Sequence, residues 1–202
     1  MIETKQIDLE RPVNQTKEIV HFTDVNDLHW AGLINLPPGE ALLLTRNTCS
    51  DIYILQGELI DPGGSSYTRD TFLRPGVNSL FMAGSSGAKL FVYRDHNVAS
   101  SGDMAIKPDQ LNWHEGGAPG MRVASLGNAG ESLMLVAWSR GSQMRFHNHP
   151  AGEEIFVLQG ELCDQSGQYP AGTWLRLHPG TGHAPYSETD TLILLRNGHL
   201  HM

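Results

Sequence analysis

Short runs of Val, Ile, Leu and aromatic residues alternate along this chain with turns rich in Gly, Pro, Asn and Asp. Such runs are typical of the strands of a β-sandwich or β-barrel, in which strands are short and turns are frequent. Helical periodicity is nearly absent, and only the N-terminal region and residues 107–113 are compatible with a helical turn. The pattern predicts an all-β protein whose strands include the segments 40–46, 52–59, 88–94, 132–138, 154–162 and 191–196.

An internal repeat divides the chain. Two pairs of segments match, 54–61 (ILQGELID) with 157–164 (VLQGELCD) and 71–74 (TFLR) with 173–176 (TWLR). A repeat of about a hundred residues is long enough to form a small domain of its own. We therefore predict two tandem barrels, residues 1–100 and 101–202, joined near residues 97–108, where small and polar residues predominate.

Composition and charge narrow the classes of function. With 202 residues, of which 40% are hydrophobic and 18% charged, the chain can bury an ordinary globular core. The net charge of −8 and the scattering of the 14 basic residues argue against a nucleic-acid partner. Cys49 and Cys163 form no C-x-x-C pair, and no segment is apolar enough for a secretion signal or a membrane span. We expect a cytoplasmic protein without membrane partners.

Three histidines and one glutamate in the second repeat have the spacing of a metal site. His147 and His149 are two residues apart, so on a strand both side chains point to the same face. A Pro-Ala-Gly turn follows, and Glu153 then enters the same cavity from the start of the next strand. A Pro-Gly turn within residues 178–185 presents His183 to the same place. This set suits one divalent transition metal per chain, zinc or iron, with nickel, manganese and cobalt also compatible.

The same residues resemble the first motif of the cupins, G-x5-H-x-H-x3,4-E-x6-G. Every fixed position of that motif is matched, by Gly141, His147, His149, Glu153 and Gly160. The spacing to the last glycine selects Glu153 over Glu154 as the ligand, and alternation along a strand places Glu154 on the outside.

The second cupin motif, G-x5-P-x-G-x2-H-x3-N, is matched more loosely. Gly172, Gly180 and His183 fit, whereas His178 replaces the proline and Ser187 replaces the asparagine. Within the cupins, residues 130–196 are most similar to the cupin part of ChrR-type anti-sigma factors and to the related acetylacetone-cleaving dioxygenases, and residues 30–95 are a degenerate copy. The resemblance implies a bicupin of double-stranded β-helices with a three-histidine, one-glutamate metal site in the second repeat.

The first repeat lacks these ligands. Its corresponding positions hold Thr45, Asn47, Ser50 or Asp51, and Ser79, from which no strong metal site can be built. We therefore interpret the first repeat as structural.

Several other residues are secondary candidates. Arg145 shares strand parity with His147 and could bind an anion in the cavity, or pair with an acidic neighbour at the rim. His178 is a candidate partner for a ligand or a general acid–base, against the simpler interpretation of a solvated turn residue. Tyr186, Trp138, Phe146 and Trp174 are candidate pocket residues for which core packing is the simpler expectation, and His199 is expected at the surface.

Two functions stay open from the sequence. The resemblance to ChrR implies a metal-binding, zinc-containing module with a role in regulation or in sensing oxidative stress. Residues 1–30 lack the H-x3-C-x2-C pattern of the sigma-binding domain of that family, so we do not expect anti-sigma activity from this chain alone. The alternative is an Fe(II)-dependent dioxygenase acting on a small enolisable carbonyl compound. A small-molecule ligand and a homodimer formed through edge strands are the expected partners.

Overall fold

The computed structural model describes residues 1–44, 48–96, 103–127 and 132–200. Regular structure within these ranges is β-strand, apart from one 3-10 turn at Pro108–Gln110. This turn lies in residues 107–113, whose sequence is compatible with a helical turn. The all-β prediction is confirmed. The described part of the chain contains no helix with the length and hydropathy that a membrane span needs.

The chain divides into two compact units. The N-terminal unit consists of Glu10–Gln110, and the C-terminal unit consists of Met1–Leu9 together with Leu111–Met202. The observed units differ from the predicted domains 1–100 and 101–202 in two segments. Residues 1–9 belong to the C-terminal unit, and residues 101–110 belong to the N-terminal unit. The reason is strand pairing, since the first strand of the chain joins the C-terminal unit, whereas residues just after 102 pair within the N-terminal unit.

The N-terminal unit contains the first of the two sequence repeats. Its strands are β2 (Glu18–His21), β3 (His29–Leu36), β4 (Ala41–Leu43), β5 (Thr48–Ile60), β6 (Ser66–Thr68), β7 (Phe72–Arg74), β8 (Leu80–His96) and β9 (Met104–Ile106). They form one antiparallel sheet in the order β2-β3-β8-β5-β7-β9, with β4 paired to β8 and β6 paired to β5. Its core contains Trp30, Ile52, Leu73 and Leu90.

The C-terminal unit contains the repeat with the predicted ligands. Its strands are β1 (Ile2–Gln6), β10 (Trp113–Glu115), β11 (Met121–Ser125), β12 (Leu133–Trp138), β13 (His147–His149), β14 (Glu153–Gln159), β15 (Glu161–Asp164), β16 (Gly167–Pro170), β17 (Thr173–Leu177), β18 (Thr181–His183) and β19 (Thr191–Asn197). Seven of them form an antiparallel sheet in the order β1-β17-β14-β19-β12-β11-β10.

Two short ribbons, β13-β18 and β15-β16, complete the described strands of the C-terminal unit. Alternation along β14 directs Glu153, Ile155 and Val157 to the face that carries the core of this unit. The described strands do not close into a ring in either unit, so the two closed barrels stay a prediction.

Candidate metal centre

The β13-β18 ribbon carries the three histidines. Its antiparallel register places His147 opposite His183 and His149 opposite Thr181. The ring centroids of the three histidines lie 4.8 to 5.1 Å apart, and one ring nitrogen of each lies within 4.8 Å of the others. The pairing of β13 with β18 therefore places His147 and His149 beside His183, which is distant from them along the chain.

Glu153 brings a carboxylate to the same point from the start of β14. Its Oε1 atom lies 3.5 Å from Nε2 of His149 and 3.5 Å from Nε2 of His183. Gly152 makes this entry possible, because its φ of +70° turns the chain and a Cβ there would lie 3.0 Å from the Leu177 carbonyl oxygen. The structure thus clusters the three histidines and places the Glu153 carboxylate against two of them.

The Nδ1 atom of each of the three imidazoles contacts an oxygen atom of another residue. His147 donates to the carbonyl oxygen of Arg145 at 2.9 Å. His149 faces Oδ1 of Asn197 at 3.4 Å, and His183 faces Oδ2 of Asp164 at 3.4 Å. Because all three partners are acceptors, the protons lie on Nδ1 and the Nε2 lone pairs remain available. This is the arrangement that orients histidine ligands in metal sites.

Asp164 is itself held in its charged form. Burial raises the pKa of Asp164, but hydrogen bonds from His183, the Ser166 N–H and Tyr169 together lower it below its ordinary value. Tyr169 donates its hydroxyl to Oδ1 at 3.0 Å, which leaves Oδ2 to face His183. The charged carboxylate therefore fixes the tautomer of the His183 ring.

The donor set is poorly satisfied without a cation. The side chains of His149 and Glu153 are each only 4% exposed, and neither His149 Nε2 nor Glu153 Oε1 has a hydrogen-bond partner among the described residues. Burial raises the pKa of Glu153 to about 8. Burial, followed by the neighbouring imidazoles of His183 and His147, lowers the pKa of His149 to about 4. A divalent cation would face the lone pairs and the carboxylate at once, so these residues fit such an ion.

Metal-free protein is expected to lose stability as pH rises from 6.5 to 8. Folded Glu153 keeps its proton up to about pH 8, whereas the unfolded residue loses it near pH 4.5. Between these two values, a rise in pH therefore favours the unfolded state. The shifted pKa of His149 acts in the opposite direction only between about 4 and 6.5. The free energy of unfolding should therefore fall by about 2 kcal/mol between pH 6.5 and 8.

Urea denaturation of chelator-treated protein at the two pH values measures this change. The Glu153→Gln variant, which has no proton to lose, is the matched control and should not show the decrease. An equal decrease in wild type and variant would contradict this assignment of the titrating group.

A cavity of about 300 Å³ adjoins the four side chains. Its wall is mostly apolar and includes Met121, Met134, Met144, Val136, Ile193 and Leu195. His147 is half-buried, whereas His149 and His183 are buried, so the donor set passes from the interior towards solvent. A small molecule in this cavity would lie directly against any ion held by the four residues.

Gly182 lets the two strands of the ribbon approach. A Cβ at this position would lie 2.6 Å from the His147 carbonyl oxygen and 2.7 Å from the Phe146 ring, so no side chain fits. Phe146 is 61% exposed and lies over Gly182, rather than in the core where it was expected. Trp138 and Trp174 are buried as expected.

Of the secondary candidates, Trp138 lines the cavity, whereas Arg145, His178 and Tyr186 do not. Arg145 is exposed, because it precedes β13 and the parity argument does not extend to it. Tyr186 is 36% exposed, and its backbone pairs with Gln143 and Cys163. His178 contacts Oε1 of Glu3 at 2.6 Å and thereby ties the turn before β18 to β1.

Glu154 lies on the opposite face of β14 from Glu153, as alternation predicts, but it is fully buried. Arg176 Nε donates to Glu154 Oε1 at 2.8 Å, and His199 lies 2.9 Å from Oε2. The expected surface position of His199 is therefore corrected, since its side chain is 8% exposed. Sequence reasoning missed this cluster.

The first repeat contains a similar pair. Arg74 donates to both carboxylate oxygens of Asp51, at 2.6 and 3.0 Å, and both side chains are buried. Asp51 is thus occupied by an ion pair, and the Ser79 hydroxyl donates to the Gly76 carbonyl oxygen. Thr45 and Asn47 lie outside the described residues. Within the described ranges, the histidine cluster of the C-terminal unit is the one group of three or more such side chains arranged to hold a metal.

The profile of the ChrR cupin-like domain family matches residues 101–201, half of the 202 residues. The chain belongs to the ChrR cupin-like domain family. This confirms that it is a cupin, and the matched half contains the histidine cluster and Glu153. No curated protein sequence matches this cupin significantly.

Solved structures share the fold over nearly the whole chain. A protein of Nostoc punctiforme described as a candidate dioxygenase has a TM-score of 0.74 at 11% identity, over 96% of this cupin and 82% of that chain. A variant of the Bacillus subtilis oxalate decarboxylase has a TM-score of 0.67 at 11% identity, over 98% and 77%. A cupin 2 conserved barrel domain protein of Leptotrichia buccalis has a TM-score of 0.65 at 14% identity, over 95% and 98%. At these identities the likeness establishes the fold alone.

Proposed function

We propose that this cupin is a mononuclear metal-dependent enzyme that acts on a small enolisable carbonyl compound, as an Fe(II)-dependent dioxygenase. The observation that carries the proposal is the cavity of about 300 Å³ directly beside the four predicted ligands. A purely structural or capped ion needs no such space, whereas an enzyme needs room for substrate next to the metal. The candidate dioxygenase of Nostoc punctiforme, which shares the fold, is consistent with this class.

In this proposal His147, His149, His183 and Glu153 hold one divalent ion through three Nε2 atoms and a carboxylate oxygen. The ion would supply Lewis-acid and, when it is iron, O₂ chemistry. The protein residues keep that ion in place and exclude water. Asp164 and Asn197 orient two of the rings, and the apolar wall surrounds the bound compound.

A second candidate function is a zinc-binding regulatory module. The match to the ChrR cupin-like domain family favours it, because such a module would use the same ligands without turnover. In that case the cavity would serve to bind a signal compound or would have no ligand. The two candidates differ in the metal that the protein acquires and in whether oxygen is consumed.

Elemental analysis of anaerobically purified protein, followed by oxygen uptake with a panel of β-diketones, tests the proposal. We expect near-stoichiometric iron and uptake that depends on the added compound. Protein reconstituted with zinc is the matched control and should show no uptake. Tightly held zinc, with no uptake after exchange for iron, would overturn the enzyme and support the regulatory module.

A further inference from the structure

The wall of the cavity contains no cationic side chain among the described residues that line it. Its polar groups beyond the predicted ligands are neutral, the side-chain amides of Asn148 and Asn197 and the indole of Trp138. Arg145, the nearest arginine to the ligands in sequence, is exposed and does not line the cavity. The described part of the cavity wall therefore offers no cation with which a second negative charge could pair.

The charge of the site follows from its tautomers. Three imidazoles with protons on Nδ1 are neutral, and Glu153 contributes one negative charge when it binds the ion. With a divalent ion, the four ligands leave one net positive charge, and the buried carboxylate of Asp164 behind His183 offsets it. The single anionic group of a monoanion would contact the ion itself, whereas the second anionic group of a dianion would lie against an apolar wall that offers no cation among its described residues, which is costly.

We propose that the cavity selects a compound that binds the metal as an oxygen monoanion, a carboxylate or an enolate, and that carries an apolar body. This inference rests on the metal centre of the proposed function. The apolar body packs against Met121, Met134 and Met144, whose flexible thioether side chains adapt to different shapes. A volume of about 300 Å³ lies at the low end for ligand sites, so the body is small. Compounds with a second anionic group are rejected.

Cobalt-loaded protein tests this selection without relying on turnover, because the visible spectrum of Co²⁺ changes when a ligand enters its coordination sphere. The probes are acetate, hexanoate and adipate at pH 7. Hexanoate and adipate have the same chain length and differ in the far carboxylate, whereas acetate lacks the apolar body. We expect hexanoate to bind at least about tenfold more tightly than either of the others.

The outcomes separate the two proposals. Failure to take up one cobalt per chain would overturn the metal centre, and the proposed function with it. Cobalt uptake with a spectrum that none of the three probes changes, or with adipate or acetate binding as tightly as hexanoate, would overturn the selection and leave the metal centre intact.

A pair of variants tests the role of charge in the wall. Met134 is half-buried and lines the cavity, so Met134→Lys places a cation there, and Met134→Gln is a neutral control of similar length. The lysine variant should shift the preference towards adipate by at least about tenfold, and the glutamine variant should not. An equal shift in both variants would contradict the charge argument. The ranking of probes by the wild-type protein remains decisive if either variant fails to fold.

Discussion

Replacing His149 with Ala is expected to lower the affinity for the metal by at least about a hundred-fold, because even the loss of a residue behind a ligand costs about 10- to 100-fold. His149 is buried, its Nδ1 faces Asn197, and its Nε2 has no hydrogen-bond partner among the described residues. The variant removes a donor that no neighbouring side chain of the cluster can replace. Competition with a chromophoric chelator measures the affinity, and elemental analysis after dialysis measures the metal content.

Ser79→Ala is the matched control. The sequence repeat aligns Ser79 with His183, and in the structure the Ser79 hydroxyl donates to the Gly76 carbonyl oxygen. This variant should retain the wild-type metal content, and His147→Ala should behave like His149→Ala. Equal loss of metal from the serine and histidine variants would show that the ion is not held by the C-terminal unit alone.

The four candidate ligands could be selected from the sequence because their spacing has local structural consequences. His147 and His149 share a face on any strand, and a tight turn necessarily brings Glu153 back towards them. His183 was harder to predict as a ligand, because its position depends on the pairing of β18 with β13. The spacing of the second motif was sufficient there, even though His178 and Ser187 depart from it.

Two of the three oxygens that contact the rings, those of Asn197 and Asp164, could not be predicted, because they come from strands whose register the sequence does not determine. Asn197 lies at the end of β19 and Asp164 at the end of β15, and neither belongs to the spacing that selected the histidines. The pairing of β1 with β17 was missed for the same reason, since it joins segments about 170 residues apart. Contacts of this kind are decided by tertiary packing.

The burial of Glu154 had a signal in the sequence. The internal repeat aligns Glu154 with Asp51 and Arg176 with Arg74, so both copies retain an acid and an arginine at corresponding places. In the structure each acid forms an ion pair with the arginine of its own unit. Alternation correctly separated Glu153 from Glu154, but alternation cannot tell whether the opposite face of a sheet is covered.

Replacing Glu154 with Gln is expected to destabilise folding by about 3–5 kcal/mol while leaving the metal content unchanged. The side chain of Glu154 is completely buried and that of Arg176 is 7% exposed, so the arginine would retain its charge without this carboxylate. His199 would lose the same partner. Glu154 faces away from the cavity, so the donor set is untouched. Urea denaturation and elemental analysis of the same preparation provide the two measurements.

The double variant Glu154→Leu with Arg176→Met is the control for this pair. Removing both charges leaves neither group as a buried charge without its partner, so the double variant should be more stable than Glu154→Leu or Arg176→Met alone. A Glu154→Gln variant that kept its stability but lost its metal would reverse the assignment of the two adjacent glutamates. If the double variant were as unstable as the sum of the single ones, the pair would not be coupled, and Arg176 would have to be stabilised by contacts other than Glu154.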